Sequence, residues 1–209
     1  MSRKIIFDFG GVLLSWDPHS MYHSYFNCPQ KTKDFFEETA LLQLNREFDR
    51  GYPLQLGLEE LAQKFPHYRE AILLWQQQWP KSIVGEVAGS VEVLTKLYQD
   101  GHELFGLTNW SAETFPYALK NYPFFSYFKD IVVSGEVKLI KPDPEIYRLL
   151  LNRNQLTASD CIFIDDIKEN VLAAAELGIH AIQFTSAELL VEQLQEFGIY
   201  FKRETTDRL

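Results

Sequence analysis

The sequence predicts an α/β protein: a parallel sheet covered by helices, with a helical segment inserted after the first strand. Five short apolar runs are continuous rather than alternating, which is typical of strands buried on both faces. The later runs alternate with helical patterns, and this order favours parallel strands joined by right-handed crossovers. The alternation is interrupted once, from about residue 16 to residue 83, where aromatic-rich helical patterns follow one another.

Each of the five predicted strands is a short segment that ends close to polar residues or glycine. In chain order they are KIIFDFG (4–10), ELFGLTN (103–109), DIVVSG (130–135), CIFIDD (161–166) and HAIQFT (180–185). Their length and continuous apolar character favour buried strands over helices. The sequence therefore predicts a sheet of five or more strands.

The helical patterns between the later strands carry recognisable ends. Ser90 is a possible N-cap of the first pattern, and Asp143, followed by proline, is the predicted N-cap of another. Thr185 has a glutamate three residues later, which is the spacing of a capping box. Gly101 and Gly178 stand where helices are expected to stop.

The inserted segment shows four helical patterns and no clear strand. They are MYHSYF, DFFEETALLQL, LEELAQKF and REAILLWQQQW. The next helix of the α/β unit begins near Ser90. We therefore expect residues 1–15 and 84–209 to form the α/β core, and residues 16–83 to form a small helical domain.

Composition limits the classes of partner. The 209 residues carry a net charge of -9, and no basic stripe is present to bind phosphates of nucleic acid. The two cysteines are far apart in no CxxC arrangement, which disfavours a zinc site or a disulfide framework. No stretch approaches the length of a membrane span, and the N-terminal apolar run is too short for a signal peptide. We expect a cytoplasmic protein, monomeric or homodimeric, without nucleic-acid or membrane partners.

Polar residues concentrate where the predicted strands end. The set consists of Asp8, Thr108, Asn109, Ser134, Gly135, Lys138, Lys141, Asp165 and Asp166. Each residue taken alone is typical of a cap, a turn or a solvated surface. A parallel sheet, however, brings the carboxyl ends of its strands to one edge, where ligands bind. The coincidence therefore predicts a functional site at that edge.

The chemistry of this set indicates a metal and a phosphate. Three crowded carboxylates repel one another, and a hard divalent cation such as Mg²⁺ relieves the repulsion while leaving positions for water and a substrate phosphate. A lysine and the Thr108 and Asn109 donors can hold phosphoryl oxygens as charge develops. One carboxylate remains free to attack phosphorus and form an aspartyl-phosphate.

Four motifs in order resemble the haloacid dehalogenase-like hydrolase superfamily over nearly the whole chain. FDFGGVL resembles the first motif, with Asp8 as nucleophile, and LTNWS the second, with Thr108. KPDP resembles the third, with Lys141, and IFIDDIKEN the fourth, with Asp165 and Asp166. Any single motif is weak evidence, but four in this order and strand context are specific.

The resemblance implies a Rossmann-like core with strand one central and a small helical cap between the first two motifs. It implies Mg²⁺ held by Asp8, the backbone carbonyl of Gly10 and the acidic pair. Asp166 is the first choice for the direct ligand, and Asp165 is a second ligand or an outer partner. It further implies that Thr108, Asn109 and Lys141 bind the substrate, with Thr108 and Lys141 also catalytic.

One position departs from the pattern of most phosphatases in the superfamily. They carry a second Asp, a general acid and base, where this chain has Gly10, and loss of such a group costs roughly 10²–10⁴-fold in rate. The dehalogenase branch and some sugar-phosphate phosphatases with a similar FDxGxV motif also lack it. A residue of the cap could replace it, and the candidates near the first motif are Asp17, His19 and His23.

A second group of charged residues lies further into the predicted cap. The segment LNREFDRG carries Arg46, Asp49 and Arg50, and an arginine there could reach over the site to a second substrate anion. A solvated helix end is the favoured reading of this segment.

Three functions remain after this reading. The favoured one is a Mg²⁺-dependent phosphomonoesterase acting on a small phosphorylated metabolite, with sugar phosphates as a candidate class. The first alternative is a 2-haloacid dehalogenase, whose halide leaves without metal or proton, so that the positions of Asp165 and Asp166 need not be acidic. The second is a catalytically quiet binding module, which the glycine at position 10 permits.

Overall fold

The computed structural model describes residues 3–201, and these form two sheets and a series of helices. The strands are β1 (Lys4–Phe7), β2 (Leu14–Trp16), β3 (Ile83–Glu86), β4 (Glu103–Thr108), β5 (Phe128–Val133), β6 (Cys161–Asp165) and β7 (His180–Gln183). The α-helices are α1 (His23–Phe26), α2 (Pro29–Thr39), α3 (Leu41–Asp49), α4 (Leu54–Lys64), α5 (Arg69–Gln78), α6 (Ser90–Gln99), α7 (Phe115–Asn121), α8 (Ser134–Val137), α9 (Pro144–Arg153), α10 (Lys168–Glu176) and α11 (Ala187–Glu196). Across residues 3–201, no helix has both the length and the apolar character needed to cross a bilayer.

The main sheet has the strand order β5-β4-β1-β6-β7, and every neighbouring pair is parallel. The five predicted strands are confirmed, and strand one is central as expected. Phe7 at the end of β1 pairs with Gly106 on one side and Ile164 on the other. The ends of β1, β4 and β6 therefore meet at one edge of the sheet.

The continuous apolar runs are explained by burial on both faces of the sheet. Ile5 and Phe7 of β1 belong to a core that extends into the helices between β2 and β3, whereas Ile6 packs into a second core on the opposite face. All three side chains are fully buried. Burial of each contributes on the order of 1.5–3 kcal/mol, so neither face of the sheet tolerates a polar interruption.

The five helices α1 to α5 lie between two short strands that the sequence analysis did not predict. Leu14 of β2 pairs with Glu86 of β3 in an antiparallel ribbon, and the N–H of Val87 donates to the carbonyl of Leu13 at 2.9 Å. Strands of three and four residues are too short to show a periodicity. The division into a core (1–15 and 84–209) and a cap (16–83) remains our proposal, with its boundaries in this ribbon.

One predicted cap helix is divided in two. The pattern DFFEETALLQL crosses Ala40, which has a left-handed φ of 54° and separates α2 from α3. The prediction was wrong here because alanine is the best helix former and left-handed backbone normally requires glycine or asparagine. Tertiary packing on both sides has overridden the local preference.

Two predicted N-caps were also wrong, and one is confirmed. Gly89, with φ 73°, precedes α6 in place of a Ser90 side-chain cap. Ser186 rather than Thr185 caps α11, accepting from the N–H of Leu189 at 3.3 Å. At α9 the carboxylate of Asp143 accepts from the N–H of Glu145 at 2.9 Å, as predicted.

Candidate active site

The carboxyl ends of the central strands open into a cavity of about 390 Å³. The cavity is lined from the core by Asp8, Gly10, Gly11, Thr108, Asn109, Trp110, Asp166 and Asn170, and from the segment between β1 and β4 by Leu14, Trp16, Asn45, Asp49, Trp79 and Ile83, among others. Asp8 follows β1 directly, and its N–H donates to the carbonyl of Ile164 at 2.9 Å. The predicted nucleophile, Asp8, thus lies at the floor of the cavity because of its position at the end of the central strand.

Lys141 is the lysine that reaches the site. Its side chain is fully buried, and Nζ lies 2.8 Å from the carbonyl of Leu107, 2.7 Å from Asp165 Oδ2 and 3.0 Å from Asp8 Oδ1. These acceptors match the three protons of an ammonium group. Burial alone would lower the pKa of Lys141, but Asp8 and Asp165 outweigh burial and raise it. The lysine therefore remains charged.

Asn109 fixes the loop that carries this lysine. Its Nδ2 donates to the backbone carbonyl of Lys141 at 3.0 Å, and its Oδ1 accepts from the N–H of Lys141 at 2.8 Å. Thr108 is buried at the end of β4 and lines the cavity beside it. The other candidate lysine, Lys138, ends α8 with a left-handed φ of 58° and is not among the cavity-lining residues of the described chain.

Asp8 is a buried acid, and opposing effects act on the pKa of its carboxyl group. Burial raises the pKa of Asp8 to about 7, Lys141 opposes this rise and Asp165 adds to it. Its Oδ1 accepts from the N–H of Phe9 at 2.7 Å and lies beside the Lys141 ammonium. The charge of Asp8 thus depends on nearby positive charge.

The adjacent acids Asp165 and Asp166 have different surroundings. Asp165 is fully buried and accepts from Lys141, from the N–H of Ile167 at 2.8 Å, and from Asn170 Nδ2 at 3.0 Å on each oxygen. Oδ1 of Asp166, by contrast, is buried and has no hydrogen-bond partner among residues 3–201. Burial first, and then Asp165, raise the pKa of Asp166.

A glycine makes room for the unpartnered carboxylate. Gly11 has a φ of 74°, and a Cβ at this position would collide with the Asp166 carboxyl group. Both the backbone conformation and the close approach therefore require glycine. The second glycine of FDFGG therefore leaves room for the Asp166 carboxyl group beside the first motif.

The three carboxylates fit a divalent cation. One oxygen from each of Asp8, Asp165 and Asp166 lies within 4.8 Å of the others. A buried carboxylate oxygen without a partner is costly, and an oxygen-ligated hard cation such as Mg²⁺ would satisfy it. The donor set and the orphaned Asp166 oxygen thus agree with the predicted metal.

The cap contributes a fourth acid that the sequence analysis did not select. Asp49 and Asn45 lie one turn apart on α3 and line the cavity, and Asn45 Nδ2 donates to Asp49 Oδ2 at 3.1 Å. Burial raises the pKa of Asp49 to about 8; the Ser111 N–H and Arg46 lower it, and Asp8 raises it. Both polar residues lie close to the apolar stripe of α3, but the sequence does not show which face of this helix meets the cavity.

The candidates predicted to replace the missing acid lie elsewhere. Asp17 caps a 3-10 turn by accepting from the N–H of His19 at 2.9 Å, and the His19 ring packs on Phe36 with centroids 4.6 Å apart. His23 is exposed. Within the described chain, none of Asp17, His19 and His23 lines the cavity.

The two arginines of the predicted cap are surface residues, which agrees with the solvated helix end that the sequence favours. Arg50 pairs with Glu47 at 3.2 Å in an exposed position. Arg46 is exposed as well, and neither arginine is part of the lining within residues 3–201. Asn45 and Asp49 are the residues of LNREFDRG that line the cavity.

Tryptophans form an aromatic wall of the cavity. Trp79 from the cap and Trp110 from the core have ring centroids 5.6 Å apart, and Trp110 Nε1 donates to Thr114 Oγ1 at 3.1 Å. Trp16 of β2 lines the same space and is 41% exposed. The wall offers flat apolar surface next to the carboxylate cluster.

Several curated proteins are similar to this chain in sequence. Flavin mononucleotide hydrolase 1 of Arabidopsis thaliana is 30% identical over 156 residues, which is 73% of this chain and 61% of that protein. The phosphorylated carbohydrates phosphatase of Thermotoga maritima is 24% identical over 185 residues, 86% of this chain and 83% of that protein. The chain spans 6% and 36% of the length of two further curated relatives.

Solved structures share the fold. A HAD family enzyme of Bacteroides thetaiotaomicron, in complex with magnesium and inorganic phosphate, superposes with a TM-score of 0.72 at 21% identity, covering 89% of this chain and 96% of that one. Solved dehalogenases share the fold as well. The family model described as haloacid dehalogenase-like hydrolase matches residues 5–184. The chain therefore belongs to the haloacid dehalogenase-like hydrolases.

Proposed function

We propose that this hydrolase is a Mg²⁺-dependent phosphomonoesterase that works through an aspartyl-phosphate on Asp8. The observation that carries the proposal is the buried, unpartnered Oδ1 of Asp166 in a cluster of three carboxylates. Such a cluster is electrostatically costly unless a cation occupies it. A cation beside a nucleophilic carboxylate is of most use when the substrate is itself an anion, such as a phosphate ester.

The metal would be held by Asp8, Asp166 and the backbone carbonyl of Gly10. Asp165 already accepts four hydrogen bonds, so we assign it to positioning Lys141 and the metal site from outside. When bound, Mg²⁺ supplies positive charge to the phosphoryl oxygens and to the Asp8 carboxylate.

The remaining residues bind and orient the phosphoryl group. Lys141 holds Asp8 in place through a 3.0 Å ion pair and adds positive charge at the point of attack. Thr108 offers a hydroxyl at the cavity floor. Asn109 has both amide atoms engaged with the Lys141 backbone, so we assign it a positioning role in place of direct substrate contact.

Electrostatics favours the phosphatase over a dehalogenase. A halide leaves without a metal or a proton, and a haloacid brings one carboxylate of its own into the site. In this protein that carboxylate would join Asp8, Asp165 and Asp166, and within the described chain Lys141 is the cation that pairs with this cluster. A quiet binding module is disfavoured because the residues proposed for nucleophile, lysine and metal contact one another at one edge of the sheet.

The cavity suits a small phosphorylated metabolite. About 390 Å³ is within the range of pockets for small ligands, and the faces of Trp79 and Trp110 can stack on a sugar ring or a planar group. Two curated relatives are named for phosphorylated carbohydrates and for flavin mononucleotide. We propose a sugar phosphate or a similar phosphorylated metabolite as substrate, and a cytoplasmic monomer or homodimer.

Parallel assays with two substrates test the reaction class. We expect hydrolysis of p-nitrophenyl phosphate that depends on Mg²⁺ and is abolished by EDTA, because the carboxylate cluster needs a cation to receive an anionic ester. The same preparation should release no halide from 2-chloropropionate. Halide release that is insensitive to EDTA, without phosphate hydrolysis, would instead establish the dehalogenase.

A further inference from the structure

The proposed reaction needs a proton at a position where the chain has none. When the phosphorus–oxygen bond of an alkyl ester breaks, the electron pair moves to the leaving oxygen, which departs poorly as an alkoxide. Gly10 stands where most phosphatases of the superfamily carry an acid, and it has no side chain to donate a proton. Apart from Gly10 itself and its neighbours Phe9 and Gly11, no atom of the described chain lies within 4 Å of the point where a Cβ of Gly10 would stand. The proton must come from another wall of the cavity.

We infer that Asp49 of the cap performs this proton transfer in both halves of the reaction. The inference rests on the proposed phosphatase function and assigns a catalytic residue to the same site. Asp49 enters the cavity from α3, whereas Asp8 enters it from β1. In an in-line displacement the leaving oxygen departs on the side opposite the attacking carboxylate, so an acid on a different wall is suitably placed.

Asp49 is held by the core as well as by its own helix. Asn45 Nδ2 donates to its carboxylate at 3.1 Å, and the backbone N–H of Ser111, the last residue of the second motif, lies close enough to lower the pKa of that carboxyl group. Its backbone carbonyl accepts from Ser134 Oγ at 2.5 Å. These contacts fix both ends of the residue while the carboxylate faces the cavity, as a proton donor requires.

The electrostatic environment keeps the proton on Asp49. Burial raises its pKa to about 8, and the negative charge of Asp8 adds to the rise, against Ser111 and Arg46. The other cavity acids have different surroundings: Asp8 has Lys141 beside it, and Asp166 lies in the carboxylate cluster. Burial raises the pKa of both acids, but Lys141 helps to keep Asp8 ionised, so Asp8 and Asp49 can serve as nucleophile and general acid in one cavity.

The two half-reactions balance as follows. The Asp8 carboxylate attacks phosphorus, the bond to the leaving oxygen breaks, and that oxygen takes the proton of Asp49 and departs as an alcohol. Water then attacks the aspartyl-phosphate and gives a proton to the Asp49 carboxylate. The bond between phosphorus and Asp8 breaks, which releases inorganic phosphate and restores both acids. The sum is ester plus water to alcohol plus phosphate.

The test compares two esters that differ in their need for a proton. Glycerol 2-phosphate has an alkoxide leaving group, whereas nitrophenolate leaves p-nitrophenyl phosphate as a stable anion. For Asp49→Asn we expect kcat/KM on glycerol 2-phosphate to fall by roughly 10²–10⁴-fold, and kcat/KM on p-nitrophenyl phosphate by less than about tenfold. Glu47→Gln, the same change on the exposed side of α3, is the matched control and should leave both values unchanged.

Two further readouts separate proton transfer from a structural role. Asp49→Asn also lacks the base for the second half-reaction, so p-nitrophenyl phosphate should give a burst of nitrophenolate as the phosphoenzyme accumulates. In the parent, kcat/KM on glycerol 2-phosphate should decline as pH rises through the pKa of Asp49, near 8, and this decline should be absent in the variant.

The outcomes distinguish failure of the role inferred for Asp49 from failure of the proposed phosphatase function. Equal losses on the two esters, or no loss on either, would overturn the role of Asp49 while leaving the phosphatase intact. If the parent hydrolyses neither ester, or if Asp8→Asn hydrolyses both as well as the parent, then the phosphatase and the inference fail together.

Discussion

Lys141 carries a full charge in a position that solvent does not reach. Desolvation of an ammonium costs several kcal/mol, and only close opposite charges and hydrogen bonds offset that cost. Asp8 and Asp165 supply the charges, and the carbonyl of Leu107 supplies the remaining bond. At the scale of single residues the site is therefore a balanced set of buried charges, and removal of one member exposes the others to repulsion.

Lys141→Met tests this balance. The variant leaves Asp8 and Asp165 buried without their cation, which costs about 3–5 kcal/mol and lowers Tm on the order of 10 °C. Mg²⁺ should restore part of the loss, because it neutralises the same carboxylates. Differential scanning calorimetry with and without Mg²⁺ measures both effects.

The matched control is a lysine on the surface. Lys120→Met removes the same charge from an exposed position of α7 and should change Tm by less than about 2 °C. If Lys141→Met melts with the parent, the buried ion pairs do not stabilise the fold and the charge balance described for the site is incorrect.

Residues at strand ends could be predicted from the sequence, whereas the cap residue could not. Asp8, Thr108 and Asp166 follow apolar runs directly, and the parallel sheet alone brings them together. The two-sided engagement of Asn109 with Lys141 required side-chain positions. Asp49 was missed because the direction in which a cap helix faces depends on how the cap docks, and no local pattern encodes that docking.

At the scale of elements, the segment that joins α3 to α4 is hydrogen-bonded to residues of the proposed core. The N–H of Leu54 donates to Glu113 Oε1 at 2.8 Å, and Ser134 Oγ of α8 bonds the carbonyl of Asp49. Gly51 in the loop has a φ of 93°, and a Cβ there would lie 2.8 Å from the carbonyl oxygen of Gly135. The two backbones meet so closely that the loop has little room to shift without moving Asp49.

Gly51→Ala should therefore impair catalysis through position. The added methyl group has to displace the loop from Gly135, which moves Asp49 relative to Asp8. We expect kcat/KM on glycerol 2-phosphate to fall roughly tenfold or more, since sub-ångström to ångström displacements of catalytic groups carry costs of this size. Steady-state kinetics at saturating Mg²⁺ measures the change.

Gly198→Ala separates docking from backbone strain. Gly198 has a similar left-handed φ of 78°, but no described atom other than those of Gly198 and its two chain neighbours lies within 4 Å of the point where a Cβ would stand. This control should lower Tm by a few degrees, from the strain of about 1–2 kcal/mol, and leave kcat/KM unchanged. Equal kinetic losses in the two variants would show that the contact with Gly135 is unimportant.

The strands of the main sheet could be predicted because a strand that is buried on both faces has a continuous apolar sequence. The ribbon of β2 and β3 could not, since its pairing joins residues about seventy positions apart through strands of three and four residues. The break at Ala40 has no glycine or proline to mark it. The structure therefore differs from the sequence-based prediction at features that depend on tertiary contacts rather than on local preference.

At the scale of the whole molecule, the chain combines two kinds of chemistry in one cavity. The sheet edge provides Asp8, Lys141 and the acidic pair, which we assign to the nucleophile and the cation. The helical segment provides Asp49 and part of the aromatic wall, which we assign to the leaving group. We propose that substrate identity is decided mainly where the two parts meet, around Trp79 and Trp110.

The most direct test of the central claim is hydrolysis of p-nitrophenyl phosphate by the parent and by Asp8→Asn across a Mg²⁺ titration, with exposed Asp160→Asn as control. The account predicts saturable activation of the parent and the control by Mg²⁺, and a loss of at least about 10³-fold in kcat for Asp8→Asn at every Mg²⁺ concentration. Turnover of Asp8→Asn within about tenfold of the parent, or parent activity unaffected by removal of the metal, would contradict it.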